Sequence, residues 1–224
     1  MVKNNFICKI SVCIEIDSKK FELINLGLYQ KLIVVKKLLV KKLKKPTHKY
    51  YPGDLLMAIK DILQLGNPLL LEKSSLITEF NTSITKDLIN NLSDTLGNFR
   101  NNTGFGRAIA SPQIGVLKNM IFVRTPKFCG PIINPTINWA DPEQMQLWDD
   151  CFSFPDLMVK VSRSVKISIT YQDEQGLKKE LIAENDFSEL LQHEIDHLHG
   201  ILAVERAISL QAFATRTEWL RQKI

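Results

Sequence analysis

Cysteine is scarce in this chain: Cys8, Cys13, Cys129 and Cys151 stand at irregular spacing and never as C-x-x-C. That excludes a disulfide framework and points to a reducing compartment. Lysines interrupt every long apolar stretch before it reaches about eighteen residues, so no membrane-spanning helix is expected. The first residues also lack the basic start, apolar middle and small-residue cleavage site of a secretory signal. No arginine precedes Arg100, which argues against an organellar presequence, because those favour Arg and avoid acids.

What is present suits a globular protein, with 45% hydrophobic and 24% charged residues in 224. That composition excludes disorder of the whole chain and leaves room for one good core. The formal charge of +5 is an average of unlike parts. Residues 1–56 hold twelve lysines against Glu15, Asp17, Glu22 and Asp54, a net +8, which leaves −3 for 57–224. A mildly acidic body is not a nucleic-acid-binding domain in its main part. Leu28 to Lys45 mixes apolar residues with Lys at helical spacing until Pro46 stops it. Two readings of 1–56 stand: a leader with no folded role, upstream of a natural start at Met57, or a targeting or membrane-surface segment.

Within 57–224 the pattern predicts one α+β domain. Ile84, Leu88, Ile89, Leu92 and Leu96 recur at helical spacing over Ser83 to Phe99, with Thr82 or Ser83 as cap. Met120 to Val123 and Pro131 to Ile133 read as short strands. Val159 to Tyr171 alternates at period two as one strand, turns at Asp173-Glu174-Gln175-Gly176, and returns over Lys178 to Ala183. Asp186 to His199 reads as a helix ended by Gly200.

That last helix carries His193-Glu194-Ile195-Asp196-His197, an H-E-x-x-H pattern. Histidines four apart lie about 40° apart on a helix, so both imidazoles can reach one ion. Glu194 falls in the middle of the stripe formed by Phe187, Leu191, Ile195 and Leu198, where a lone carboxylate would cost several kcal/mol. A metal beside it would supply a partner. A zinc-type site needs a third ligand, for which Cys151 is the leading candidate and Cys129 the alternative. A third segment, Gly104 to Gly115, is rich in small residues, and its Gln113 offers a neutral amide donor.

In this order, Gly106-Arg107-Ala108-Ile109-Ala110-Ser111-Pro112-Gln113, Asp149-Asp150-Cys151-Phe152-Ser153 and His193-Glu194-Ile195-Asp196-His197 resemble the three motifs of the peptide deformylases. The resemblance runs from about 58 to 207 and implies small mixed or antiparallel sheets packed around a central metal-binding helix. It implies Cys151, His193 and His197 as ligands of one divalent ion, Fe2+ in the family's common use, with Zn2+, Ni2+ or Co2+ accommodated. Glu194 takes the general acid/base position. Gln113 and the backbone N–H of Phe152 take the oxyanion positions, Gly106 and Ala108 belong to the substrate loop, and Asp149 pairs with Arg163 behind the metal. The reaction implied is hydrolysis of the formyl group from N-terminal formylmethionine of nascent polypeptides, releasing formate. The implied setting is cytoplasmic, or organellar if 1–56 is a targeting segment, with transient ribosome association and neither sequence-specific nucleic-acid binding nor a membrane. Departures at Ala108, Ser111, Asp149, Asp150, Phe152, Met158 and Glu189 bear on substrate fit. They keep a second reading in view, a deformylase-like domain with little catalysis. H-E-x-x-H alone would also fit a different small metallopeptidase.

Overall fold

Alternation of inward and outward side chains in two short strands fixes the layering. The computed structural model describes residues 59–222, and the expectations for 1–56 and for a start at Met57 lie outside the described residues. Strands β1 (Ala108–Ala110), β2 (Met120–Arg124), β3 (Cys129–Ala140), β6 (Lys166–Gln172) and β7 (Lys178–Glu184) form a sheet in the order β1-β2-β3-β6-β7. Every pairing in it is antiparallel. Because successive side chains point to opposite faces, Ala108, Ala110, Ile121 and Val123 join one core while Ile109, Met120 and Phe122 join another.

Each face is covered by a helix. Helix α1 (Ser83–Thr103) starts where the Thr82 side chain accepts from the Thr85 N–H and ends at Gly104, whose φ of +82° suits glycine. It runs a turn past its expected end and buries Leu88, Ile89, Leu92 and Leu96. Ile84, expected on that apolar face, is 77% exposed instead, and Thr85 takes the buried place in the first turn. Helix α2 (Asp186–Leu198) covers the other face through Phe187, Leu190, Leu191, Ile195 and Leu198.

The long alternating run Val159 to Tyr171 is two strands, not one. β5 (Leu157–Ser164) pairs with β4 (Gln144–Asp150) and β8 (Phe213–Thr215) in a separate three-stranded sheet. The crossing occurs at Val165. Its N–H donates to the Glu143 carbonyl and its carbonyl accepts from Asn185, so its backbone bonds lie in neither ladder. Likewise, the short strand expected at 131–133 lies in the first part of a twelve-residue β3, which pairs with β2 up to Ile133 and with β6 from Ile133 onward, with a bulge after Ile133. The predicted turn at Asp173–Gly176 joins β6 to β7.

The α+β expectation holds. Helix α2 lies between the two sheets' elements, buried from Phe187 to Leu198 except at Gln192. Gln192 spends its amide on Ser164 and Ser188. A helix buried on every side must satisfy its polar residues from neighbouring elements, and those partners build the site.

Candidate metal centre

Cys151 follows β4 directly and opens the tight loop to β5. The Phe154 N–H donates to the Cys151 carbonyl at 3.1 Å, and the Leu157 N–H to that of Phe154 at 3.0 Å. These bonds hold the thiol against α2, where Sγ lies 3.2 Å from His197 Nε2. One ligand-type atom from each of Cys151, His193 and His197 falls within 4.8 Å of the others, and all three residues are buried. Cys129 sits exposed at the start of β3 and belongs to no such group among the described residues.

Behind His193 stands a charged chain. Its Nδ1 lies 2.9 Å from Asp149 Oδ1, Asp149 takes Arg163 Nη2 at 3.3 Å, and Arg163 Nη1 continues to Asp196. Arg206 closes the chain with two hydrogen bonds to Asp196, at 2.7 and 3.1 Å. The sequence reading anticipated Asp149 with Arg163 but missed Asp196 and Arg206. Asp196 sits inside the H-E-x-x-H run, and only its partners, brought by folding, reveal its task. A carboxylate on Nδ1 fixes the tautomer that leaves Nε2 of His193 for a metal.

Gln113 occupies a 3-10 turn. Its Oε1 accepts from the Ala110 N–H at 2.9 Å, which turns Nε2 toward Cys151 Sγ at 3.5 Å and Ser153 Oγ at 3.4 Å. Phe152 stacks on Phe99 with ring centroids 3.9 Å apart. Gly106, at φ +123°, leaves room for that ring, since a Cβ there would come within 2.8 Å of Phe152 Cζ. Ala108 is not in a loop, as the small residues suggested, but in the buried β1. Ser111 returns its hydroxyl to the Lys118 carbonyl, so the replacement leaves no orphaned group.

Gly106, Ala108, Gln113 and Phe152 line a cavity of about 550 Å³. Cys151, His193, Glu194 and Gln113 line part of it, and Met158, Trp148 and Trp219 stand elsewhere in its wall. At its edge Arg216, the first residue of α3 (Arg216–Gln222), lies 2.6 Å from Asp150 and 4.5 Å over the Phe105 ring. Neither Arg216 nor Trp219 carried a motif signal.

Burial pushes the Glu194 carboxyl up to about 7, with Asp149 and Glu189 adding to the rise against His193 and Arg107. Its Oε2 is buried without a hydrogen-bond partner among the described residues. Burial also drives His197 well below the ordinary histidine range, with the His193 charge adding to it. At His193 burial acts the same way, but the Asp149 carboxylate outweighs it and the imidazole rises. One thiol, two buried imidazoles and an unpartnered carboxylate oxygen fit a borderline divalent metal with an acid/base beside it.

Fold and site together define a metallohydrolase of the H-E-x-x-H kind, its metal-binding helix enclosed by antiparallel sheets. Comparison gives the particular family. Residues 59–213 match the polypeptide deformylase family. The chain is 35% identical over 168 residues to a peptide deformylase of Leptospira biflexa, covering 70% of this chain and 92% of that one. It is 37% identical over 152 residues to one of Heliobacterium modesticaldum, covering 67% and 95%. The crystal structure of peptide deformylase from Thermotoga maritima superposes with a TM-score of 0.63 at 28% identity, covering 68% of this chain and 99% of that one. This chain belongs to the polypeptide deformylase family, metal-dependent hydrolases of formylated nascent peptides. Neither the comparisons nor the geometry favours a low-activity scaffold or a separate metallopeptidase.

Proposed function

We propose that Cys151, His193 and His197 hold one divalent ion, Fe2+, and that Glu194 and Gln113 carry out the removal of formyl from N-formylmethionyl peptides. The observation that supports this is the convergence of the thiol and two imidazoles within 4.8 Å, with Cys151, His193 and Glu194 lining one cavity. A bound divalent ion supplies Lewis acidity and lowers the pKa of water to about 7.

The chain's own residues supply the rest. Glu194, with a carboxyl near neutrality, takes the proton from the attacking water and hands it to the leaving amine as formate departs. Gln113 Nε2 and the Phe152 N–H donate to the oxygen that gains negative charge. Asp149, pinned by Arg163, orients His193. Further parts of the same proposal are that residues 57–224 form the catalytic domain, that 1–56 lies outside it, and that the enzyme meets its substrates in the cytoplasm at the ribosome. Among the described residues no helix is long and apolar enough to cross a membrane.

Formate release from formyl-Met-Ala-Ser, after anaerobic loading with Fe2+, tests the reading. Glu194→Gln keeps size and hydrogen bonding but cannot accept a proton, so turnover should fall by about 10²–10⁴ with metal retained. Equal rates above background in the two proteins would remove Glu194 from the mechanism.

A further inference from the structure

The two edges of the five-stranded sheet are of different kinds. β1 is three residues long and buried throughout. β7 is seven residues long, pairs with β6 alone, and leaves Lys178, Lys179, Glu180, Ile182 and Glu184 exposed. Outside that ladder, no hydrogen bond among the described residues reaches the backbone of Lys178 to Glu184. A strand edge in this condition offers a row of N–H and C=O groups to another strand.

The faces of β7 differ as well. Leu181 and Ala183 point to the core under α2, so Lys178, Glu180, Ile182 and Glu184 point the other way. On that side the residues that pack with α1 come from β1, β2 and the start of β3. Farther along, Trp139 lies beside Ser168 and Ser168 beside Ile182, and the Trp139 and Ile182 side chains are 48% and 61% exposed.

The order of charges along β7 selects what fits its edge. Lysines open the strand and a glutamate closes it. A second β7 laid antiparallel, with Leu181 opposite Leu181, overlaps it fully and sets Lys178 of each copy opposite Glu184 of the other. Two-fold symmetry makes the contact twice, and the two residues share a face of the strand, so each pair forms. Moving the register by two residues sets Glu180 against Glu180 in one direction and Glu180 against Glu184, twice, in the other. Like charges directly opposite destabilise both. In the favoured register Leu181, already packed against the α2 core, meets its own copy on the axis and carries that core across the seam. Glu184 Oε1 lies 2.7 Å from Lys166 Nζ, which leaves its second oxygen for the lysine of the other copy.

We infer that β7 is a self-association edge: two copies of this chain join β7 to β7, antiparallel, in one continuous sheet held by reciprocal Lys178–Glu184 pairs. No residue of β7 lines the cavity, so the seam forms without using the proposed metal site.

Sedimentation velocity of the full chain over a concentration series tests this, at low salt, where exposed pairs are least screened. The unmodified protein should pass from monomer to dimer as concentration rises. K178E and E184K, both at exposed positions, each turn the two reciprocal contacts from attraction to repulsion. Each should weaken the dimer about tenfold or more. Mixed in equal amounts, the two variants should associate again, because every Lys178–Glu184 contact between unlike copies then joins opposite charges. A monomer at every concentration overturns the inference. Dimers of unchanged strength in both single variants also overturn it, since the contact then lies on another surface. A mixture that fails to associate removes the reciprocal pairing. Strengthening by E184K refutes the register, because only the shifted alignment sets Glu180 against Glu184.

Discussion

Replacing Arg163 with Met removes the one cation shared by two buried carboxylates and keeps most of the side chain's volume. Asp149 lies 3.3 Å from the guanidinium and is 2% exposed, and Asp196, on its other side, is 8% exposed. After substitution Asp149 keeps His193 and Asp196 keeps Arg206, but the charge between them is gone. Breaking a buried pair from one side destabilises by about 3–5 kcal/mol. For a domain of this size that is a fall in Tm of about 6–20 °C. The loss depends on pH with a definite sign. Burial would raise the Asp149 carboxyl, but His193 and then Arg163 outweigh it and hold it below the usual range. A carboxyl with a depressed folded pKa contributes stability that is complete above its unfolded value, about 3.9, and disappears as pH falls through the folded value. The gap between the two proteins should therefore be widest at neutral pH and narrow below about pH 4. Urea unfolding of the metal-free proteins at pH 7 and at the lowest pH where both fold measures it. A gap at pH 7 below about 1 kcal/mol, the worth of an exposed pair, would refute the argument, as would an equal gap at both pH values.

Cys151→Ala should drop bound metal from near one equivalent to a small fraction by elemental analysis, and full retention would return attention to Cys129. Gly106→Ala forces a side chain onto φ +123° and toward the Phe152 ring, at about 1–3 kcal/mol for the backbone alone. Turnover should fall more than metal content, because Phe152 follows Cys151 directly, and unchanged kinetics would show that the ring yields freely. A chain beginning at Met57 should keep the melting temperature and turnover of the full chain, and a clear loss of either would show that 1–56 contributes to the catalytic domain.

The helix that carries H-E-x-x-H was legible because its pattern and its boundaries are local. Histidines four apart share a face, Gly200 stops the run, and the apolar stripe around Glu194 marks burial. Cys151 was reachable as a third donor, and the resemblance added Asp149 with Arg163. The strand over Val159–Tyr171 misled because the alternation of Val159, Val161, Ile167 and Ile169 continues smoothly through a change of sheet. Only the partners of Val165, Glu143 and Asn185, reveal the crossing. β4 was missed because Gln144-Met145-Gln146-Leu147-Trp148 offers few strongly β-forming residues, and tertiary pairing with β5 decides it. The Arg107–Glu189 contact spans 82 positions, and neither residue signals the other.

The thiol comes from a hairpin of one sheet and both imidazoles from the helix that covers the other, 46 positions apart for Cys151 and His197. During synthesis the thiol emerges well before the histidines, and β8, which completes the hairpin's sheet along β5, emerges last of all the strands. An incomplete chain that ends after α2 would thus carry every proposed ligand yet lack the edge that braces one of them. The proposed site therefore joins segments far apart in the sequence, and it forms through long-range contacts, whose formation is slow.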